Sequence, residues 1–487
     1  MHIHLPLIKF CKGVQALQQS NKIYEYIKTV CEQIRWKKAH GPISEEIEGH
    51  IIDQRNAFIN SGIDDKTATE KAIMEMGDPV LIGTEFDRTY RPKIEWSIVA
   101  LTFIMVSLGF LVRYFFIYNA VEPIELSASN DILSIIIGFA FMIIACFLDF
   151  TAIGKYPKKI FFGMTALLIL YIFAKNQAYF SIRFILLPKA FSSYMLLLLP
   201  TAFAGIIYEM RNKSYLGIIQ TGLIFSIPAI ISLNAWNTSS IIVYSFSCLL
   251  LLTMAVVNGW FNVKKSNAFF LIYGAVALVS IISMLFIIVT RPTMINRIQA
   301  AFIPTIDPHT SGWITIAVRN ILSGAKFFGQ GDLGQYAIIP FSSIHSDFLL
   351  TYLIHKLGWI SFVIIIAIII TFIVRLFILC RKQKSVLAKL VSTSILITFT
   401  MEVIVYVDYN LGFLILSPLT LPFFSYGGTS TVINMILIGI MLSVFNTGDL
   451  YRDDKSKHSL SKNRLFEYAD GKIIINLSGS TCRKFDS

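Results

Sequence analysis

One carboxylate stands where a long polar segment meets an apolar run. Asp347 lies in the segment Ile344-His345-Ser346-Asp347-Phe348, at the head of that run. The low dielectric of an apolar helix raises the pKa of a carboxyl, whereas the positive helix N-terminus lowers it. A carboxylate in this position is suited to accept a proton at neutral pH. Aspartate also caps helices well, so the sequence leaves a general base and an N-cap as equal interpretations of Asp347.

A second group of residues combines glycines with hydroxyls at the start of another apolar run. Paired glycines are costly inside a helix, and the backbone N–H groups of a helix N-terminus bind anions such as phosphate. The segment therefore indicates close approach of a ligand or of another helix, with an ordinary helix start capped by Ser or Thr as the alternative. Its polar and glycine residues are Ser425, Tyr426, Gly427, Gly428, Thr429 and Ser430.

Other ionisable residues lie within or beside apolar runs, where charge is costly and usually functional. They are Arg113, Asp149, His355, Lys356, Glu402 and Asp408. Interfacial anchoring is the simpler interpretation of Asp149, and the Arg113 side chain is expected to extend toward the outer surface. For Glu402 and Asp408, a structural ion pair with Arg113 or another basic residue explains the charge as well as a substrate role does.

The composition defines the class of protein that carries these groups. The chain has 487 residues, of which 55% are hydrophobic and 15% charged, with a net charge of +12 and a mean hydropathy of +0.65. The segment 96–447 holds only 31 charged residues, 21 of them basic. This charge density excludes a soluble enzyme core, which needs far more polar surface. The basic excess lies among apolar runs rather than on a soluble face, which argues against nucleic-acid binding.

Ten apolar runs are long enough to cross about 30 Å of hydrocarbon, which takes about 20 helical residues. They predict an all-α polytopic membrane protein with a small helical domain before the first span. We divide the chain into a helical head (1–93), a membrane domain (94–447) and a tail (448–487). The runs fall near 96–118, 131–150, 159–174, 190–208, 215–233, 239–258, 267–290, 348–374, 390–411 and 424–446.

Basic residues in alternate connections predict the orientation, because cytoplasmic connections are enriched in Lys and Arg. These connections contain Lys155, Lys158, Lys159, Arg211, Lys213, Lys264, Lys265, Arg375, Arg381, Lys382, Lys384 and Lys389. With an even number of spans, both termini are predicted to be cytoplasmic. The long connection 291–347 then lies outside, and connections of this length are often functional. The connection 175–189, also predicted outside, departs from the rule with three basic residues.

The cysteines give no sign of a metal centre. Six are present without a Cys-x-x-Cys pair or clustered spacing, so neither a disulfide framework nor a cysteine metal site is predicted. The residues after Met1 lack the apolar core of a signal peptide. The sequence leaves open whether the chain needs a divalent cation.

Four motifs resemble those of one membrane protein family. Pro422–Ser430 resembles the PFxSYGGSS signature of the SEDS family, the FtsW/RodA/SpoVE-type shape, elongation, division and sporulation proteins. His345–Phe348 is similar to the family's H-T-D-F, Phe328–Gly331 to its F-G-K-G and Asn410–Gly412 to its N-L-G. Order and spacing agree over about 96–447. The family has ten spans and a long outer connection between the seventh and the eighth.

The resemblance implies a glycosyltransferase that polymerises lipid II at the outer face of the cytoplasmic membrane, together with a class B penicillin-binding protein. The family's catalytic aspartate falls on Asp347, which would take the proton from the acceptor sugar hydroxyl as undecaprenyl pyrophosphate leaves. By charge alone, Arg319 and Lys326 are candidates to offset the pyrophosphate charge. His345, Ser346 and the six signature residues named above are further substrate-binding candidates.

Several family positions differ in this chain, which keeps other functions open. The pair His355-Lys356 stands where the family has two glutamates, and Gln330 replaces the lysine of F-G-K-G. A non-catalytic binder of lipid-linked sugars, serving as a scaffold of a cell-wall complex, is one alternative. A transporter of lipid-linked precursors is another, because many spans with buried charges also suit carriers, although no internal repeat is visible.

The head reads as a set of short helices. Ser44 is a predicted N-cap before an apolar stripe formed by Ile47, Ile51 and Ile52. Asp64 is predicted to cap a second helix that ends at Gly77, and Pro79 to begin a third. Glu45-Glu46-Ile47 and Met76-Gly77-Asp78-Pro79 resemble a HAAS-type domain, starting at about residue 30. That resemblance implies signalling or regulation on the cytoplasmic side.

Overall fold

The structure is a computed structural model that describes residues 21–91, 95–115, 128–176, 191–232, 238–290, 298–306, 308, 312–332, 345–448, 466–469 and 472–475. Most of the predicted connection 175–189 and much of the predicted outer connection 291–347 lie outside these residues. The elements, apart from short 3-10 turns, are α1 (21–33), α2 (His40–Asn60), α3 (Asp65–Met76), α4 (Pro79–Tyr90), α5 (Trp96–Arg113), α6 (Ala128–Phe147), α7 (Thr151–Lys155), α8 (Pro157–Asn176), α9 (Phe191–Met210), α10 (Tyr215–Ser232), α11 (Thr238–Val257), α12 (Lys265–Thr290), α13 (298–302), α14 (Trp313–Ser323), α15 (Leu349–Leu357), α16 (Trp359–Lys382), α17 (Val386–Asn410), α18 (Gly428–Thr447), β1 (Phe466–Ala469) and β2 (Lys472–Ile475).

The prediction of an all-α, multi-pass membrane fold is confirmed. Among the described residues, eight helices are long and apolar enough to cross a membrane, namely α5, α6, α9, α10, α11, α16, α17 and α18. The other two predicted spans correspond to α8 and α12, which are 20 and 26 residues long. The tail adds an antiparallel pair, β1 with β2, that the sequence did not predict.

The eighth predicted span is wrong at its start, because the apolar run folds as two helices. α15 ends at Leu357, and Gly358 adopts φ +95°, a backbone conformation that favours glycine. The preceding loop caps α15: the N–H of Gly329 donates to the Leu357 carbonyl (3.0 Å) and the N–H of Gly331 to the His355 carbonyl (2.8 Å). The F-G-x-G motif therefore satisfies carbonyls that a helix end leaves unpaired. The membrane crossing starts with α16.

α9 lies at the centre of the membrane domain. It packs against α8, α11, α17 and α18, and 89% of its apolar window is buried, compared with 22% for α6. Pro200 lies inside α9 without ending it. Because lipid tails are as apolar as leucine, a helix such as α6 can leave much of its apolar surface facing lipid. α9 is thus the support against which α17 and α18 are placed.

Small residues bring two pairs of elements close together. A Cβ at Gly439 of α18 would meet the carbonyl oxygen of Met142 in α6. A Cβ at Gly109 of α5 would lie 2.5 Å from the carbonyl oxygen of Phe424, in the segment before α18. Small residues at helix interfaces let backbones approach in this way. α5 and α6 consequently both contact the glycine-rich segment or the helix that follows it.

Two of the three predicted helix starts in the head are confirmed. The Asp64 carboxylate accepts a hydrogen bond from the N–H of Thr67 (3.1 Å) and caps α3, and Pro79 is the first residue of α4. The cap predicted at Ser44 is wrong, because α2 already begins at His40. The Ser44 hydroxyl instead donates to the His40 carbonyl (2.6 Å) within the helix.

The isoleucines of α2 form the core of the head. Ile43, Ile47 and Ile51 are buried and pack in one cluster with Val30 of α1. Ile52, which the sequence placed in the same stripe, is 37% exposed. Consecutive helical residues point about 100° apart, so Ile51 and Ile52 do not share a face.

Gly109→Ala is expected to destabilise the membrane domain by about 1–3 kcal/mol, because the added methyl group overlaps backbone rather than a flexible side chain. Thermal unfolding of the purified protein in detergent measures the effect. Gly222→Ala in α10 is the matched control, since a Cβ there meets nothing within 4 Å. Equal melting temperatures for the two variants would contradict the close approach of α5 to Phe424.

Candidate functional site

Asp347 lies in a turn directly before α15, and it does not cap that helix. Phe348 occupies the N-cap position and makes no side-chain capping bond, so the N-cap interpretation of Asp347 is wrong. Asp347 is half-buried, so part of it remains accessible. Burial raises its pKa from 3.8 to about 6, while a hydrogen bond from Ser346 acts in the opposite direction. The group is poised to exchange a proton close to neutral pH.

Buried side chains of α17 hold the backbone on both sides of Asp347. The Asn410 side-chain amide donates to the Asp347 carbonyl (2.8 Å), and its oxygen accepts from the N–H of Thr351 (3.0 Å). The Tyr406 hydroxyl donates to the Ser346 carbonyl (3.3 Å). The asparagine of the N-L-G motif therefore has a defined role, which is to fix the turn that presents the Asp347 carboxyl.

The glycine-rich segment is a tight turn followed by α18. Phe423 has φ +64°, and the hydroxyl of Ser425 accepts from the N–H of Leu421 (2.7 Å). α18 begins at Gly428 with Gly427 as its N-cap and without a side-chain cap, so the alternative of a Ser or Thr cap is wrong. The span also starts at 428 rather than 424, because the residues before it form the turn.

The hydroxyls of this segment fall into two classes. Ser425 and Ser430 are buried and bonded inside the protein, the latter accepting from Thr420 (2.5 Å). Half-buried residues occupy the positions between them, namely Tyr426, Gly427, Gly428 and Thr429. The first N–H groups of a helix lack intrahelical partners. The part of the segment suited to contact a ligand is therefore the start of α18.

The two groups of residues singled out in the sequence meet in space. The N–H of Tyr426 donates to the His345 carbonyl (2.9 Å), and the two rings are 5.2 Å apart in an edge-to-face arrangement. His345 is buried, and its pKa is lowered by that burial and by the nearby positive charge of Arg113. Asp347 is two residues from this contact, so the carboxyl and the start of α18 belong to one region.

Arg113 was singled out in the sequence, but its surroundings differ from those expected. Its side chain is 3% exposed and forms an ion pair with the equally buried Asp131 of α6 (2.9 Å). It also donates to the carbonyl of Phe424 in the glycine-rich turn. The expected extension of Arg113 toward the outer surface is wrong, and its partner is not Glu402, which instead accepts a hydrogen bond from Asn434. The only sequence signal was an acidic residue at the start of the next span.

The two basic candidates near the site have protein partners. Arg319 of α14 donates to the carbonyls of Gly412 (3.2 Å) and Ala301 (2.5 Å). It therefore contacts the same end of α17 that holds Asp347. The exposed Lys326 bonds to Asp332 (3.2 Å). Arg319 lies beside the candidate site, whereas Lys326 lies in the loop that caps the far end of α15.

The pair His355-Lys356 contacts that same loop. The Lys356 ammonium donates to Gln330 (3.2 Å). His355 is buried, and both of its ring nitrogens lack a hydrogen-bond partner. Its pKa is lowered by burial and by the charge of Lys356. Lys356 thus joins α15 to its capping loop through its side chain, and His355 does so through its backbone carbonyl, which accepts from the N–H of Gly331.

The described part of the chain contains no preformed metal site. Within it, no three His, Cys, Asp or Glu side chains are grouped closely enough to hold an ion.

Removing one partner of the buried ion pair is expected to cost about 3–5 kcal/mol of stability, because it leaves the other charge unpaired in an apolar surrounding. Arg113→Met should show this loss in equilibrium unfolding in detergent. Adding Asp131→Leu to Arg113→Met should recover part of it, since neither charge is then left alone. Strictly additive losses in this double-mutant cycle would show that the two side chains do not interact.

The comparisons with known proteins come from sequence and from structure. The family model for the FtsW/RodA/SpoVE cell cycle proteins matches residues 95–448. A probable peptidoglycan glycosyltransferase FtsW of Trichlorobacter lovleyi is 26% identical over 40% of this chain and 51% of its own length. That of Nitrosomonas europaea is 30% identical over 35% of this chain and 45% of its own. The alignments thus span about half the length of these curated relatives.

A RodA protein and a solved structure are also similar to this chain. The peptidoglycan glycosyltransferase RodA of Treponema pallidum is 25% identical over 39% of this chain and 46% of its own length. One chain of a peptidoglycan synthase complex aligns over 74% of this chain and 99% of its own, with a TM-score of 0.57 and 16% identity. That likeness shows a shared fold. Because the family model covers the whole membrane domain, the chain belongs to the FtsW/RodA/SpoVE family, which is the SEDS family that the motifs resemble.

Proposed function

We propose that this protein is a peptidoglycan glycosyltransferase that polymerises lipid II at the outer face of the cytoplasmic membrane. The names of its FtsW and RodA relatives support this activity. The observation that carries the proposal is the half-buried Asp347, whose pKa of about 6 lies close to neutral. It stands two residues from the contact with the start of α18. In this proposal, Asp347 is the base and the start of α18 is the anion-binding end, and the His345–Tyr426 contact supports their proximity.

In the proposed reaction, the Asp347 carboxylate removes the proton from the acceptor sugar hydroxyl. The hydroxyl oxygen then forms a bond to the anomeric carbon of the donor, and the bond from that carbon to the pyrophosphate oxygen breaks. The electron pair leaves with undecaprenyl pyrophosphate. General-base catalysis of this kind contributes a factor on the order of 10²–10⁴. Asn410 serves as a positioning residue, because it fixes the backbone of the base.

The leaving pyrophosphate needs positive potential. The first N–H groups of α18, at Gly428 and Thr429, supply it together with the helix dipole. Arg319 adds a full charge at the end of α17, where its guanidinium already bonds two carbonyls. His345, Ser346 and Tyr426 line the same region and are assigned to substrate contact. Ser425 and Ser430 support the turn from within, and Lys326 contributes at most through its charge, since it is bonded to Asp332.

A lipid-linked-sugar binder without catalytic activity is the second candidate function. It is favoured by the contacts of Lys326 with Asp332 and of Lys356 with Gln330, because these exposed basic groups already have partners in the protein. A binder would retain affinity for lipid II and form no glycan chains. A transporter of lipid-linked precursors would instead move labelled lipid across liposomes without polymerising it.

The assignment extends to partner and orientation. A class B penicillin-binding protein is the proposed partner, in line with the peptidoglycan synthase complex that shares the fold. Both termini are placed in the cytoplasm and the connection 291–347 outside, because the basic connections alternate along the chain. This orientation puts Asp347 on the side of the membrane where the polymer would be made.

Asp347→Asn is expected to lower the rate of glycan chain formation from labelled lipid II by about 10²–10⁴-fold, because the amide cannot accept the proton. The protein is assayed with candidate penicillin-binding partners. Wild-type activity should rise with pH through about 6, where the carboxyl of Asp347 ionises, since only the ionised form is a base. Asp408→Asn is the control: it removes another carboxylate, near the outer end of α17, and should keep full activity. Equal chain formation by wild type and Asp347→Asn would overturn the proposal.

A cysteine at Gln330 should react with a membrane-impermeant maleimide added to intact cells, because Gln330 is exposed in the loop proposed to lie outside. Lys384→Cys, between α16 and α17, should react only after permeabilisation. The unsubstituted chain with its six cysteines provides the background. The reverse labelling pattern would refute the proposed orientation.

A further inference from the structure

One face of α17 carries three polar residues that are fully buried. Glu402, Tyr406 and Asn410 follow each other at intervals of four residues, so they line the same side of the helix. Tyr406 and Asn410 hold the turn that contains Asp347. Glu402 has no part in the proposed reaction, yet it lies on the same face about two turns deeper in the membrane domain.

The contacts of Glu402 leave two buried oxygens without a donor. One carboxyl oxygen, Oε1, accepts from the side-chain amide of Asn434 (3.2 Å). The other, Oε2, has no partner, and neither has the amide oxygen Oδ1 of Asn434. Both residues have 0% exposure. An unpaired buried acceptor lowers the stability of the folded protein by about 1–3 kcal/mol. Two such acceptors in the same pair of residues indicate that a donor hydrogen is needed there.

The surroundings do not stabilise a negative charge at Glu402. Beyond Asn434, the network continues through hydroxyls: Asn434 donates to Ser430 (3.3 Å), Thr420 donates to Ser430 (2.5 Å), and Tyr194 bonds to Thr420 (2.8 Å). Among the residues that the structure describes, no Lys, Arg or His pairs with Glu402, and the buried Arg113 is paired with Asp131. An ionised carboxylate in such a place bears a large desolvation penalty.

We propose that Glu402 is a proton-binding site and that it carries its proton in the folded protein, with Oε2–H donating to Oδ1 of Asn434. A protonated carboxyl has one donor and keeps its acceptor oxygen. The acid and the amide then form a cyclic pair in which each group donates once and accepts once. A single proton thus satisfies both orphaned oxygens.

A bound monovalent cation is the competing explanation of the two oxygens, and the contacts argue against it. The amide N–H of Asn434 points at the Glu402 carboxyl, and a donor hydrogen at this place repels a cation. The nearby hydroxyls of Thr420 and Ser430 bond to each other. They are therefore not arranged around a common centre.

The protonated pair joins the two halves of the candidate site. Glu402 belongs to α17, which holds the Asp347 turn, and Asn434 belongs to α18, whose first residues are proposed to bind pyrophosphate. The pair fixes the register between these helices without adding charge to the membrane interior. Glu402 is therefore a positioning residue, and its effect on catalysis, though not its protonation, rests on the proposed function.

Glu402→Gln and Glu402→Leu test the site, because glutamine reproduces the donor and acceptor of the protonated acid whereas leucine has neither. The infrared difference spectrum of wild type minus Glu402→Gln at pH 7 should contain the carbonyl stretch of a protonated carboxylic acid. The contribution of Asp347 cancels in this difference. Glu402→Gln should keep the melting temperature and the polymerisation rate, and Glu402→Leu should lose at least tenfold in rate or fail to fold.

Two results would overturn the proposal. One is a carboxylate band in place of the acid band in the difference spectrum, which decides the question even if Glu402→Leu does not fold. The other is a melting temperature of wild type that rises with added sodium or potassium chloride, but not with choline chloride, while Glu402→Gln does not respond. The second result would identify a cation site. Loss of chain formation in Asp347→Asn tests the proposed function separately, since the spectrum requires no activity.

Discussion

The irregular backbone at the candidate site depends on buried side chains for its hydrogen bonds. At the edge of a membrane, polar backbone that leaves a helix must find partners within the protein, because lipid offers none. Asn410 and Tyr406 supply them for the turn at Asp347. Arg113 supplies one for the turn before α18. The carboxyl and the helix end keep their relative positions only as long as these side chains remain in place.

The same dependence explains why three helices, rather than the two that carry the motifs, build the site. α17 holds the Asp347 turn, and α18 carries the glycine-rich segment at its start. α5 adds Arg113, whose charge is balanced by Asp131 of α6. The ion pair neutralises itself, so the positive potential for a pyrophosphate has to come from the start of α18 and from Arg319. The buried pair Arg113–Asp131 therefore has a structural role, whereas the half-buried groups are the ones available to a substrate.

Much of this arrangement was predictable from the residues, and the exceptions have physical causes. Hydropathy located the spans, and the motifs around Asp347 and Gly427 identified the two segments that meet. The break at Gly358 escaped detection, because α15 is as apolar as a span and only its contacts with the 326–331 loop separate it from α16. The partner of Arg113 was missed for a similar reason, since pairing between neighbouring helices leaves no periodic trace in the sequence.

The close approach of Gly109 to the Phe424 backbone couples the position of α5 to that of the glycine-rich turn. A helix advances 1.5 Å per residue, and Gly109 leaves no space for such a slide against the Phe424 backbone. One helical turn further on, the Arg113 side chain donates a hydrogen bond to the Phe424 carbonyl. At its other end α5 is preceded by Glu95, which bonds to Arg375 of α16 (3.4 Å), and the chain before it leads to the head. A displacement of α5 along its axis would therefore be transmitted to the glycine-rich turn through these two contacts.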